Sequence, residues 1–126
     1  MTAQFEAAHR LVGDFGPATR THGHTYRLEV AVRGERLDGS GVLFDIGRLR
    51  ALVDALAGAL NYRDLNELPA FAGANTTAEA VADYCWEALA ADLRGAAPLA
   101  SLVVRVWESP QVYASREDAL RAWKQI

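Results

Sequence analysis

The sequence predicts an α+β domain in which an antiparallel sheet carries two helices on one face. Three observations point there: apolar and polar residues alternate from Thr21 to Gly34, two central segments place apolar residues at helical spacing, and Ser101 to Trp107 is a β-branched, apolar run. The order strand, strand, helix, helix, strand, without internal repeat or linker, gives the helices a single sheet face to cover. At 126 residues, 51% of them hydrophobic, the chain suits one compact domain with a real core, so 1–126 reads as a single domain.

Gln4 to His9 places Phe5, Ala7 and His9 on one face of a first short strand. Gly13, Gly16 and Pro17 mark the loop that follows. The second strand puts His22, His24, Tyr26, Leu28, Val30 and Val32 on one face, which predicts an antiparallel pair with the first. Asp38-Gly39-Ser40-Gly41 reads as a turn, and Asp45 as the N-cap of a helix running to about Leu60. Leu49, Leu52, Val53, Leu56 and Leu60 form its apolar stripe. A second helix is expected to begin at Thr76, with Thr76 and Glu79 as a capping box, and to end near Gly95. Ser109-Pro110 interrupts the last strand before Val112-Tyr113, and the tail from Arg116 onwards suits a short final helix.

Composition excludes several classes of function. A net charge of −3 leaves no excess of Lys and Arg to neutralise a phosphate backbone, so no nucleic-acid partner is expected. The longest apolar runs fall far short of the roughly 20 residues of a membrane span, and the N-terminus lacks a basic segment followed by an apolar one. A soluble cytoplasmic protein is expected, with no membrane partner. The single cysteine, Cys85, has no internal disulfide partner, and its place beside Trp86 among small apolar residues suits the core. Exposed sheet edges in so small a protein predict a homo-oligomer.

All three histidines fall on the two paired strands. His22 and His24 share a side, Gly23 between them carries no side chain to obstruct a close approach from the other face, and His9 can meet them across the pair. Three imidazoles facing one point would hold a zinc ion and leave a fourth position open, as at catalytic zinc sites. A His-x-His spacing alone also suits ordinary polar strand residues.

Phe5-Glu6-Ala7-Ala8-His9, followed by His22-Gly23-His24-Thr25-Tyr26, resembles the signature of the 6-pyruvoyltetrahydropterin and 6-carboxytetrahydropterin synthases. The similarity continues in order through Gly41-Val42-Leu43-Phe44-Asp45, Leu65-Asn66-Glu67, Asn75-Thr76-Thr77-Ala78-Glu79 and Val106-Trp107-Glu108-Ser109-Pro110. The resemblance implies the tunnelling fold, in which subunits pool their sheets into a barrel, here a hexamer. It implies Zn2+ on His9, His22 and His24, a pterin-like or purine-derived ligand anchored by Glu108, and Thr77 near that ligand, unless Thr77 only caps its helix. A carboxylate can accept two parallel hydrogen bonds from an amino group and an adjacent ring nitrogen, which suits Glu108 to that task.

Three positions depart from the pattern. Ala18 stands where relatives carry the catalytic cysteine, four residues before the first histidine of His-Gly-His. In Leu60-Asn61-Tyr62-Arg63-Asp64-Leu65-Asn66, Asn61 and Tyr62 stand where relatives carry an Asp-His pair. Asparagine does not ionise, and tyrosine, with a reference pKa near ~10, is a poor base at neutral pH. Asp14 and Asp64 are the remaining candidate acids or bases, equally readable as loop carboxylates. Two functions stay open: a zinc-dependent lyase with altered chemistry, and a non-catalytic protein that holds the ligand with the same zinc and glutamate.

Overall fold

The computed structural model describes residues 1–120. Strands β1 (Thr2–His9) and β2 (His22–Gly34) pair antiparallel with His9 opposite His22 and Ala7 opposite His24, as alternation requires. Helix α1 (Ile46–Leu60) follows, then the two-residue strand β3 (Arg63–Asp64), helix α2 (Ala78–Leu93), and the hairpin of β4 (Leu99–Ser109) and β5 (Val112–Ala119). The sheet order is β3-β1-β2-β4-β5, with β3 parallel to β1 and all other neighbours antiparallel.

Helix α1 starts where the sequence indicates. The Asp45 carboxylate accepts from the backbone N–H groups of Gly47 and Arg48, satisfying donors that the first turn leaves free. Leu49, Val53, Leu56, Ala57 and Leu60 are buried and Leu52 packs at their margin. Helix α2 begins one step later than expected. Its cap is Thr77, whose hydroxyl accepts from Ala80 N at 3.1 Å, while Thr76 is fully buried and engaged elsewhere. The helix closes at Arg94, and Gly95 follows with φ +80, a left-handed conformation that glycine adopts freely.

The helices cover one sheet face, α1 over β1 and α2 over β4 and β5. Between them lies a single core built from Phe5, Tyr26, Leu28, Val30, Trp86, Leu89, Leu102, Val104 and Val106 together with the helix stripes. Cys85 belongs to it, fully buried, and burial pushes its thiol up to about 12, so it is an inert packing residue.

The tail differs from expectation. Arg116 to Ala119 continue β5 and do not turn into a helix, and residues 121–126 lie outside the described residues. The reason is a polar alternation: Ala114 and Arg116 face α2, and the Arg116 guanidinium lies 3.8 Å over the Trp86 ring while bonding Asp83 and Glu87. Among the described residues no helix is long and apolar enough to cross a membrane.

Candidate functional site

The pairing of β1 with β2 brings His9, His22 and His24 together at the end of the sheet face that the helices cover. One ring nitrogen from each lies within 4.8 Å of the others, and His9 Nε2 stands 3.1 Å from His24 Nε2. His9 is buried, whereas His22 and His24 are half-exposed, so the cluster has a closed floor and an open side.

Backbone carbonyls set which nitrogens face inward. His9 Nδ1 lies 2.7 Å from the Thr76 carbonyl oxygen, and His22 Nδ1 2.8 Å from that of Arg20. A carbonyl only accepts, so Nδ1 carries the proton in both rings and Nε2 is left with a lone pair. Imidazoles oriented in this way are the form that ligates metals. Burial lowers the His24 pKa, and the neighbouring His9 and His22 lower it further against the opposing charge of Glu108. The neutral form of the His24 ring is thereby favoured. Ligands at ~2.0–2.1 Å in a tetrahedron stand about 3.4 Å apart, so three inward nitrogens at this spacing could hold a zinc ion.

Thr76 anchors the floor. Besides its carbonyl on His9, its hydroxyl lies 3.1 Å from Asn66 Oδ1 and 3.3 Å from both the Arg10 carbonyl and His9 Nδ1. Asn66 and Asn75 act as substitutes for a neighbouring strand. Each offers Oδ1 to a backbone N–H and Nδ2 to the carbonyl of the same residue, Asn66 to Arg10 and Asn75 to Val12. A carboxamide presents donor and acceptor side by side as a peptide does, so the chain stays ordered past the end of β1. These three residues escaped functional reading in the sequence, where Thr76 looked like a cap. The only signal was their place in the two matched segments, Leu65-Asn66-Glu67 and Asn75-Thr76-Thr77.

Glu108 stands at an irregularity. Trp107 pairs with Tyr113 and Ser109 with Val112, so Glu108 is the extra residue of a bulge between β4 and β5. On the other side Arg27 pairs with Trp107, which sets Glu108 beside Tyr26 on the face that carries the histidines. Its charge reaches both: it opposes the lowering at His24, and it adds to the effect of burial in pushing the Tyr26 phenol up. Thr77 is half-buried one residue beyond Thr76, its hydroxyl oxygen occupied as the helix cap.

The carboxylate candidates lie apart from this cluster. Asp14 is exposed in the loop between β1 and β2 and is not among the groups clustered with the histidines. Asp64 accepts from Asn66 N at 3.0 Å, capping the short turn that follows, and lines a cleft of about 470 Å³ at the sheet edge with Glu6, Thr25, Tyr62, Arg63 and also His24. Asn61 uses its carboxamide oxygen to accept from Glu6 N, and the Tyr62 ring is 84% exposed. Gly23 is less constrained than expected, since an added methyl group would meet only the Ala7 carbonyl at 3.7 Å, an ordinary contact.

Residues 1–119 match the family model described as 6-pyruvoyl tetrahydropterin synthase. The chain belongs to the 6-pyruvoyl tetrahydropterin synthase family. It is 33% identical over 106 residues to a dihydroneopterin monophosphate aldolase of Pyrococcus furiosus, covering 84% of each chain. It is 29% identical over 136 residues to a putative 6-carboxy-5,6,7,8-tetrahydropterin synthase of Pyrococcus horikoshii, covering 90% of this chain and 85% of that one. The solved structure of Caenorhabditis elegans 6-pyruvoyl tetrahydropterin synthase superposes with a TM-score of 0.80 at 26% identity, covering 94% of this chain and 92% of that one. The fold is therefore the tunnelling fold of this family.

Proposed function

We propose that this protein is a zinc-dependent lyase acting on a pterin-like or related purine-derived heterocycle. The observation that carries the reading is the convergence of His9, His22 and His24, two of them with Nε2 turned inward by backbone carbonyls, on the sheet face that also bears Glu108. A zinc ion held there supplies Lewis acidity to oxygens of the substrate's side chain. Glu108 accepts from the 2-amino group and adjacent ring N–H of the heterocycle and so fixes which end of the substrate reaches the histidines. Thr77, whose hydroxyl proton is not used by the cap, can donate to the same ligand.

The residues at Ala18, Asn61 and Tyr62 bear on the reaction. Alanine has no group to move a proton, Asn61 is committed to the Glu6 backbone, and Tyr62 projects outward. Phosphate elimination of the synthase type, which starts with proton abstraction by the cysteine-based relay, is therefore disfavoured. Cleavage between two side-chain carbons, in which the proton leaves a hydroxyl to a carboxylate or water and the ring C=N takes up the electron pair, is the alternative that the relative named as an aldolase supports. Asp14 and Asp64 are the remaining carboxylates for a proton carrier: neither belongs to the histidine cluster within one chain, but Asp64 shares a cleft with His24. We further infer a homo-oligomer, a hexamer, in which the edges β3 and β5 join neighbouring sheets into a barrel. The one cysteine, free and buried, suits a reducing cytoplasm.

The test is incubation of zinc-loaded protein with 7,8-dihydroneopterin monophosphate and triphosphate, with products identified by mass spectrometry. A zinc-dependent cleavage within the side chain is expected, releasing its two outer carbons as an aldehyde and leaving a 6-hydroxymethyl group on the ring. Tight binding without any product would establish the non-catalytic ligand-holding role instead. Glu108→Gln replaces one acceptor with a donor and leaves a mismatch inside the site, costing roughly 1–3 kcal/mol, about ten- to a hundredfold in affinity. Its zinc content is expected to stay unchanged. Unaltered affinity in that variant would remove Glu108 as the anchor.

A further inference from the structure

One buried polar group at this site, the Tyr26 hydroxyl, is unpaired among the described residues. Tyr26 is fully buried, its ring stacked on Phe5 with centroids 4.8 Å apart and edge-on to His24 at 5.3 Å and His9 at 6.1 Å. Its hydroxyl has no hydrogen-bond partner among the described residues. Phenylalanine would fill the same space and stack equally well without burying an unsatisfied hydroxyl. The hydroxyl therefore has a structural cost and no structural return, which marks it as a group awaiting an acceptor. Arg27 pairs with Trp107 at the end of the β2–β4 ladder, so the next position along sets Tyr26 alongside Glu108.

We propose that Tyr26 is the positioning residue for Glu108, its hydroxyl donating to one carboxylate oxygen when a heterocycle is bound. The inference rests on Glu108 being the heterocycle anchor. A carboxylate gripping an amino group and a ring N–H uses one lone pair on each oxygen and keeps others free. The Tyr26 hydroxyl is on the same face and needs an acceptor, and a bond to an ionised group is stronger than one between neutral partners. Held from behind in this way, a half-buried side chain on a bulge keeps one orientation instead of several, and the bulge sets it apart from the regular ladder. Tyr26 would thereby govern discrimination between ligands that differ at the edge Glu108 reads.

Pterin and lumazine provide the test, since they differ only in a 2-amino against a 2-oxo group. Their dissociation constants are measured by fluorescence titration for the zinc-loaded wild type, Tyr26→Phe and Glu108→Gln, with zinc content and melting temperature recorded without ligand. The wild type is expected to prefer pterin. Tyr26→Phe is expected to weaken pterin binding roughly tenfold, leave lumazine binding within about twofold, and retain full zinc and an equal or higher melting temperature. A purely structural role would lower both affinities together or lower the melting temperature, and either result overturns the assignment. If the wild type and Glu108→Gln show no preference for pterin, the anchor itself fails and the assignment falls with it. If the wild type prefers pterin and Tyr26→Phe keeps that preference in full, the anchor stands and only the role of Tyr26 is lost.

Discussion

Replacing His22 or His24 by alanine is expected to reduce bound zinc from about one ion per chain to a small fraction of that, measured by plasma emission after dialysis against a weak chelator. Each histidine supplies one inward nitrogen of a three-nitrogen set, and two ligands rarely suffice to hold zinc. His22 and His24 are half-exposed, so their loss removes little packing and both variants should remain folded. His9 is different. It is buried against Thr76, so His9→Ala combines metal loss with a cavity and an unpartnered carbonyl, and should melt well below the wild type. Thr76→Val gives an intermediate case, keeping the carbonyl that orients His9 but losing the hydroxyl that ties Asn66 and Arg10 to the floor. A tenfold to hundredfold weaker zinc affinity is expected there, the range typical for groups that orient a ligand. Full zinc in both His22→Ala and His24→Ala would contradict the donor set.

Trp86→Ala is expected to cost ~3–5 kcal/mol in urea denaturation, the range for removing a large buried aromatic ring. Trp86 is 1% exposed, its Nε1 donates to the Leu102 carbonyl at 2.8 Å, and Arg116 and Arg94 lie over its ring. One side chain therefore joins α2 to β4 and β5. Its loss leaves a cavity, an unpaired carbonyl and a guanidinium without its aromatic support. A cost of that size is a large share of the ~5–15 kcal/mol by which a domain is stable. Because α2 is preceded directly by Thr76 and Thr77, loosening this helix should also weaken zinc retention near the melting temperature. A loss below ~1 kcal/mol would show that the ring is not the link between the helix layer and the hairpin.

How much of this was legible in the sequence depended on whether each position carried an apolar signal. Helix α1 was readable because Asp45 is an effective cap and the stripe from Leu49 to Leu60 is unmixed. The register of β1 on β2 followed from alternation, and with it the meeting of the three histidines. The start of β5 at Val112-Tyr113 was readable, but its continuation through Arg116 was hidden because its inward positions are Ala114 and Arg116, small and charged, and only the structure shows the guanidinium lying on Trp86. The start of α2 was misplaced by one residue because Thr76 with Glu79 has the capping-box spacing, whereas Thr77 is followed three residues on by Ala80. The difference lies in tertiary bonds, since Thr76 is taken by His9, Arg10 and Asn66 while Thr77 is free to meet Ala80. The strand-like roles of Asn66 and Asn75 and the orphaned Tyr26 hydroxyl are likewise facts of three-dimensional proximity.

The central claim is that zinc and a pterin-like ring share one site, the metal on three histidines and the ring on Glu108. A crystal structure of the zinc-loaded protein with pterin, using anomalous scattering at the zinc edge, tests it most directly. One anomalous peak is expected ~2.0–2.1 Å from a nitrogen of each of His9, His22 and His24, with the 2-amino edge of the pterin on the Glu108 carboxylate. A peak elsewhere, or a ring bound away from Glu108, would contradict it.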